Sequence, residues 1–151
     1  MRTHHANGKE EMIVEVVAGL AVRSESVLLA QRHESEVTEW SGAWCLAGGK
    51  VEVGESQEAA LSREWREELD GSIKVGPLLH SMLHRTTGYP YPYRVTTFAV
   101  TITTEPKLLH AGGQDLRWVQ LPTLKGLRLL PGTMPSILAY NALYDCGWEI
   151  E

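Results

Sequence analysis

Glu64, Glu67 and Glu68 stand at i, i+3 and i+4 in Arg63-Glu64-Trp65-Arg66-Glu67-Glu68. An α-helix would gather all three carboxylates on one face. Like charges at that spacing cost a helix about 0.2–0.5 kcal/mol per pair, so something has to offset them. A divalent cation would do so. Hard cations such as Mg²⁺ take oxygen ligands and bind through one or two carboxylates together with substrate phosphates. Arginine would also do so, through Arg63–Glu67 and Arg66–Asp70 pairs, and would leave an ordinary solvated face. The glycines favour the cation. Gly48 and Gly49 precede the helix, with Gly54 between. Adjacent glycines permit a tight turn and close backbone approach, and they leave main-chain oxygens free to meet a metal. The stretch Gly48 to Glu68 reads as a metal platform for chemistry on a diphosphate.

Such a platform needs a helix held against a sheet. Ser56 to Leu69 is predicted as the acidic helix, with Leu61, Trp65 and Leu69 forming the stripe that packs inward. Trp65 is therefore expected in the core and not against a base. Strands are expected at Met12 to Val22, Val27 to Gln31, Ala43 to Leu46, Tyr93 to Thr103 and Leu116 to Leu121. Ile73 to His84 reads as one or two strands broken near Gly76-Pro77, and Pro135 to Cys146 as a closing helix. Residues 33–43 read as a loop flanking a cleft, and Thr86 to Pro92 as a turn. Met1 to Glu11 reads as a mobile arm before a single domain over residues 12–151. A mixed sheet flanked by two helices, an α+β fold layered as an α/β/α sandwich, accommodates this order.

Composition narrows the function. The chain has 151 residues, 43% hydrophobic and 22% charged, with a formal charge of −5. One domain with a sizeable core fits that length. The negative balance argues against binding long nucleic acid, which needs lysine and arginine against phosphates. It leaves nucleotides open, because a bound metal reverses the local sign. Cys45 and Cys146 are too few for a zinc site or a disulfide framework, and Cys45 is expected as a small core residue. No apolar segment approaches membrane-spanning length and no signal region opens the chain, so a soluble, cytoplasmic protein is expected. Gly49-Lys50 lacks the Ser/Thr and the upstream glycine of a P-loop, and no dinucleotide-binding glycine pattern occurs. His80 and His84 are four apart in a strand-like segment without nearby acid, which favours ordinary placement over metal binding.

Gly49, five residues, Glu55, seven residues and then Arg63-Glu64-Trp65-Arg66-Glu67-Glu68 resembles the Nudix box of Nudix hydrolases. Leu28-Leu29-Ala30-Gln31-Arg32, Ala47-Gly48-Gly49-Lys50-Val51-Glu52 and Gly54-Glu55-Ser56-Gln57 are similar to the MutT-like branch, and within it to bacterial CTP pyrophosphohydrolases. The resemblance covers residues 13–145 and is strongest through residue 70. It implies the Nudix fold, with Mg²⁺, or Mn²⁺ in its place, as cofactor. It further implies Glu67, Glu68 and the Gly48 carbonyl as metal ligands. Glu64 is implied as a further ligand or as the base that activates water. Arg63 and Glu55 are implied to orient the helix and loop without touching substrate. Arg32 and Lys50 are candidates for phosphate contacts, with plain surface charge as the alternative.

The chain departs from the family pattern in places. Asp70-Gly71 stands where the box has glycine and then an apolar residue, which suggests a shifted helix end with Ile73 in the apolar role. MutT-like relatives carry a loop glutamate six residues before the tryptophan of the late strand. Here that position is Gly112, with Asp115 the nearest substitute. Leu130 to Pro135 resembles the segment that reads the base in MutT-like enzymes. It offers Thr133, whose single hydroxyl can contact a base or cap the helix. Tyr89, Tyr91 and Tyr93 alternate with proline and offer either stacking rings or a stiff hairpin, and Trp40 and Trp44 carry the same ambiguity.

The expected activity is Mg²⁺-dependent hydrolysis of a nucleoside triphosphate to the monophosphate and pyrophosphate by a monomer or homodimer. The alternatives are another nucleoside diphosphate-linked substrate (ADP-ribose, a nucleotide sugar or a dinucleoside polyphosphate) and a non-catalytic nucleotide sensor.

Overall fold

The computed structural model describes residues 2–4, 10–34 and 39–150. Residues 1 and 5–9 of the expected arm, 35–38 of the expected cleft loop, and 151 lie outside the described residues. In chain order the elements are β1 (Arg2–His4), β2 (Glu10–Met12), β3 (Val14–Leu20), β4 (Val22–Arg23), β5 (Ser26–Gln31), β6 (Trp44–Cys45), β7 (Ala47–Lys50), α1 (Gln57–Leu69), β8 (Ser72–His84), β9 (Tyr93–Thr104), β10 (Asp115–Gln120) and α2 (Thr133–Tyr144). Short 3₁₀ turns occupy His110–Gly112 and Leu121–Gly126.

One sheet runs β7-β3-β9-β8, and a second runs β10-β5-β4 with β6 paired to β5. The β3–β9 pair is parallel and its neighbours are antiparallel, so the sheet is mixed. Strand β1 pairs antiparallel with β2, within the stretch read as a mobile arm.

Both sheet faces are covered, which explains the near-continuous apolar runs of β3 and β5. On β3, Val17 joins the cluster around Leu61, Trp65 and Leu69 of α1, whereas Ala18 and Leu20 join the cluster containing Ile137 of α2. Strand β5 divides the same way, with Leu28 on the α1 side and Val27 and Leu29 on the α2 side. No helix among the described residues is long and apolar enough to cross a membrane.

Helix α1 is bounded by local chemistry. Ser56 is its N-cap, and its side chain accepts from the Ala59 N–H at 3.1 Å. Asp70 closes it in the left-handed conformation at φ 48°, a conformation that Asp tolerates. Ile73 then packs against the α1 cluster. Trp65 is buried, and its Nε1–H donates to the Ala47 carbonyl at 3.1 Å, tying the helix to the strand that carries the glycines.

Three expectations need correction. Gly48 and Gly49 lie in β7, paired with Ala18 and Val17, and do not form the turn. The turn falls further on, where Gly54 takes φ +80°. Cys45 is half-buried beside the site cavity and not in the core, because its pairing with Ala30 sets it at the cavity edge. Helix α2 begins at Thr133 with Gly132 as N-cap at φ 88°, so Thr133 does not cap it. The Gly76-Pro77 break is a bulge within a single strand, where the β8–β9 register shifts between Val75 and Leu78.

Candidate active site

A cavity of about 520 Å³ opens on the face of the β7-β3-β9-β8 sheet opposite α1. Its floor is Val16, Ala18, Val95 and Thr97, and its walls come from β5, β7, the Gly112-Gly113 loop and the start of α2, with Glu64 and Glu68 of α1 reaching its edge. Of the residues singled out from sequence, Arg32, Gly48, Lys50, Glu64, Glu68 and Thr133 line it. Glu55, Arg63 and Glu67 stand behind or beside it.

Arg63 organises the acidic groups. Its Nε and Nη2 donate to the two carboxylate oxygens of Glu55 at 2.7 and 3.0 Å. Nη1 donates to Glu64 at 2.9 Å and to Glu67 at 3.1 Å, and Nη2 also reaches the Lys50 carbonyl at 2.9 Å. One planar fork thus joins the loop, the glycine strand and the helix. The Arg63 side chain is 16% exposed and the surrounding carboxylates, Glu55 foremost, raise its pKa further.

That grip, with a second hydrogen bond from the Glu52 N–H, holds the Glu55 carboxyl down to about 2, from an ordinary 4.5. A carboxylate with a lowered folded-state pKa stabilises the fold fully above its ordinary value and loses that contribution as pH falls toward the folded value. The melting temperature of the wild-type chain is therefore expected to fall more steeply below pH 4.5 than that of Glu55→Gln. Thermal unfolding followed by circular dichroism at a series of pH values checks this, and parallel curves would refute it.

Glu64 and Glu68 meet at the cavity. Burial pushes the Glu68 carboxyl up to about 8, and the charges of Glu64 and Glu67 add to the shift. Protonated Glu68 hydrogen-bonds Glu64, and the Arg32 guanidinium opposes the shift from across the cavity. Glu67 shares the helix face but bonds Arg63, with its side chain 58% exposed. Consequently, among the described residues, no three His, Cys, Asp or Glu side chains are gathered closely enough to hold a metal ion. The donor set at the cavity nevertheless suits a hard divalent cation. It is all oxygen, a cation would relieve the repulsion that raises the Glu68 pKa, and the glycine beside it leaves it room. A Cβ on Gly49 would fall on the Glu64 carboxylate, and one on Gly48 would strike the Val17 carbonyl.

The late loop closes differently from expectation. A Cβ at Gly112 would lie 2.6 Å from the Glu68 carbonyl oxygen, which already accepts from the Leu109 N–H at 2.9 Å. The loop is strapped to the end of α1, and a glutamate side chain has no path there. Asp115 does not replace it: its carboxylate accepts from Arg117 at 2.7 Å and from the Leu116 N–H, and it is not part of the cavity wall.

Aromatic groups that spacing left ambiguous divide sharply. Trp40, Tyr89 and Tyr93 line the cavity, together with His84, for which ordinary placement was expected. Trp44 does not; it carries the β5–β6 ladder and lies 5.8 Å from the Arg117 guanidinium. The loops bearing Trp40 and Tyr89 are joined by the Thr87 N–H donating to Glu39 at 2.9 Å. Only the β8–β9 register, pairing His84 with Tyr93, exposes this grouping, and no sequence period signals it.

A family model described as NUDIX domain matches residues 13–139 of the chain. The chain is 34% identical to the CTP pyrophosphohydrolase of Escherichia coli (strain K12), over 87% of this chain and 93% of that protein. The solution structure of the E. coli ORF135 protein superposes with a TM-score of 0.74 at 31% identity, covering 91% of this chain and 94% of that one. The MutT NUDIX hydrolase of Burkholderia pseudomallei superposes with a TM-score of 0.75 at 25% identity, over 85% of this chain and 98% of that one.

Proposed function

This chain belongs to the NUDIX domain family, as a hydrolase of phosphoric anhydride bonds, and we propose that its substrate is a nucleoside triphosphate, cleaved to the monophosphate and pyrophosphate. One observation carries the reading: a half-buried carboxyl pair, Glu64 and Glu68, shares a nucleotide-sized cavity with Arg32 and Lys50.

A diphosphate bridge resists water because its own charge repels a nucleophile. Bound Mg²⁺, or Mn²⁺ in its place, supplies neutralisation of that charge and eases deprotonation of water. Glu64, Glu68 and the Gly48 carbonyl would hold the cation, and Glu67 would join them on leaving Arg63. Glu64 acts either as a ligand or as the base toward the attacking water. Arg32 and Lys50 hold phosphate oxygens and keep them oriented. Arg63, clamped by Glu55, fixes the direction of Glu64. Thr133 reaches the base from the start of α2. The identity to the E. coli enzyme puts CTP first among substrates to assay, with ADP-ribose, a nucleotide sugar and a dinucleoside polyphosphate as competitors. The protein works in the cytoplasm as a monomer or homodimer.

Glu68 must lose its proton to take a cation, so metal affinity is coupled to pH. Calorimetric titration with Mg²⁺ is expected to give an affinity that rises with pH up to about 8 and then levels, with protons released on binding. In Glu68→Gln the profile flattens and binding weakens. Equal, pH-independent affinities in both proteins would sink the ligand assignment.

A further inference from the structure

We propose that the nucleobase is held by stacking on an aromatic wall of Trp40, His84, Tyr89 and Tyr93, so that the enzyme accepts the common bases with little discrimination. This rests on reading the cavity as a nucleoside triphosphate site. The Trp40 and His84 rings meet edge to face with centroids 6.1 Å apart. His84 is the register partner of Tyr93 across β8 and β9, and Tyr93 stacks with Tyr89 at 4.9 Å and 27°. All four line the cavity, and Tyr89 stays 40% exposed at its mouth.

The polar side chains that could read a base edge are scarce or engaged. Gln31 Nε2 donates to the Gly42 carbonyl at 3.0 Å. His33 Nε2 lies 3.1 Å from the His110 carbonyl oxygen. His84 Nε2 has no accessible surface and no hydrogen-bond partner among the described residues, so the histidine offers its ring and not its nitrogen. Beyond the charged groups assigned to phosphate and metal and the Trp40 indole N–H, what remains on the lining side chains is mostly hydroxyl, from Thr86, Thr97, Thr133, Tyr89 and Tyr93. Each hydroxyl rotates to donate or accept and so fits either kind of base edge. Strong rejection of a wrong substrate requires polar groups left unpaired by it, and a hydroxyl can present either a donor or an acceptor. Stacking itself is indifferent to base identity, because every base has a π-face.

The test uses the full chain with ATP, GTP, CTP, UTP and ribose 5-triphosphate, which lacks a base. The four nucleotides should agree in kcat/KM to within about tenfold, and ribose 5-triphosphate should fall at least about tenfold below them, the scale of one stacked base. In parallel, binding of AMP, GMP, CMP and UMP is followed by calorimetry, which does not depend on turnover. Trp40→Ala and Tyr89→Ala should weaken all four by a common factor, with the ring-retaining Tyr89→Phe recovering most of the loss. Tyr89 sits on an exposed loop, so its variants report even if Trp40→Ala fails to fold. A preference for one base above about a hundredfold, a loss confined to one base, or no monophosphate binding at all would overturn the proposal. Parallel binding without any turnover would leave stacking standing and remove the hydrolase reading. Turnover with one strongly preferred base would do the reverse.

Discussion

Replacing Glu68 by glutamine is expected to raise the melting temperature of the metal-free protein while lowering kcat/KM with Mg²⁺ by about a thousandfold. The two effects share one cause. Burial and the charges of Glu64 and Glu67 push the Glu68 carboxyl up to about 8 from an ordinary 4.5. Below the ordinary value both folded and unfolded chains hold the proton. Between the two values the unfolded chain releases it and the folded chain does not, so stability declines as pH rises from about 4.5 to about 8. Glutamine is close in shape and never ionises, and it removes that slope. The same substitution deletes a charged ligand, and loss of metal-centred charge stabilisation is worth several kcal/mol in a transition state, about a thousandfold in rate. Unfolding in EDTA across that pH range and initial rates with CTP measure the two halves. A variant with wild-type rates would remove Glu68 from the site. A variant less stable than wild type at neutral pH would contradict the electrostatic account.

Gly49→Ala should abolish most activity without abolishing the fold, a loss on the order of a hundredfold in kcat for a displaced group in the reacting geometry. The added methyl falls on the Glu64 carboxylate. That carboxylate ends a flexible side chain, so the protein relieves the overlap by turning Glu64 away from Arg63 and Glu68. Gly48→Ala provides the contrast. There the methyl strikes the Val17 carbonyl, which belongs to the neighbouring strand and cannot swing aside. Unfolding is expected at markedly lower temperature for Gly48→Ala than for Gly49→Ala. Near-normal turnover by Gly49→Ala would show that Glu64 does not need its present position.

Several features were legible because they are local. Ser56 and Asp70 bound α1 through their own backbone preferences, and Leu61, Trp65 and Leu69 bury at the spacing that a helix dictates. The apolar runs of β3 and β5 announced strands, and the structure covers them on both faces. The acidic spacing put Glu64, Glu67 and Glu68 on one helix face whatever else the chain did. The box from Gly49 to Glu68 pointed to the family that residues 13–139 match. The glycine turn was misplaced because close approach and chain reversal call for the same residue. In β7 it is approach that matters, to Val17 and to Glu64.

Sequence alone therefore determined the family and the helix that carries the acid, since periodicity and residue chemistry act over a few positions. Tertiary structure decided how those groups are shared. Arg63 draws Glu67 aside while Glu68 lies half-buried at the cavity, the Glu68 carbonyl closes the loop at Gly112, and strand register collects His84, Tyr93 and Tyr89 into one wall. Each of these depends on contacts between segments far apart in the chain, whose distances no local pattern encodes.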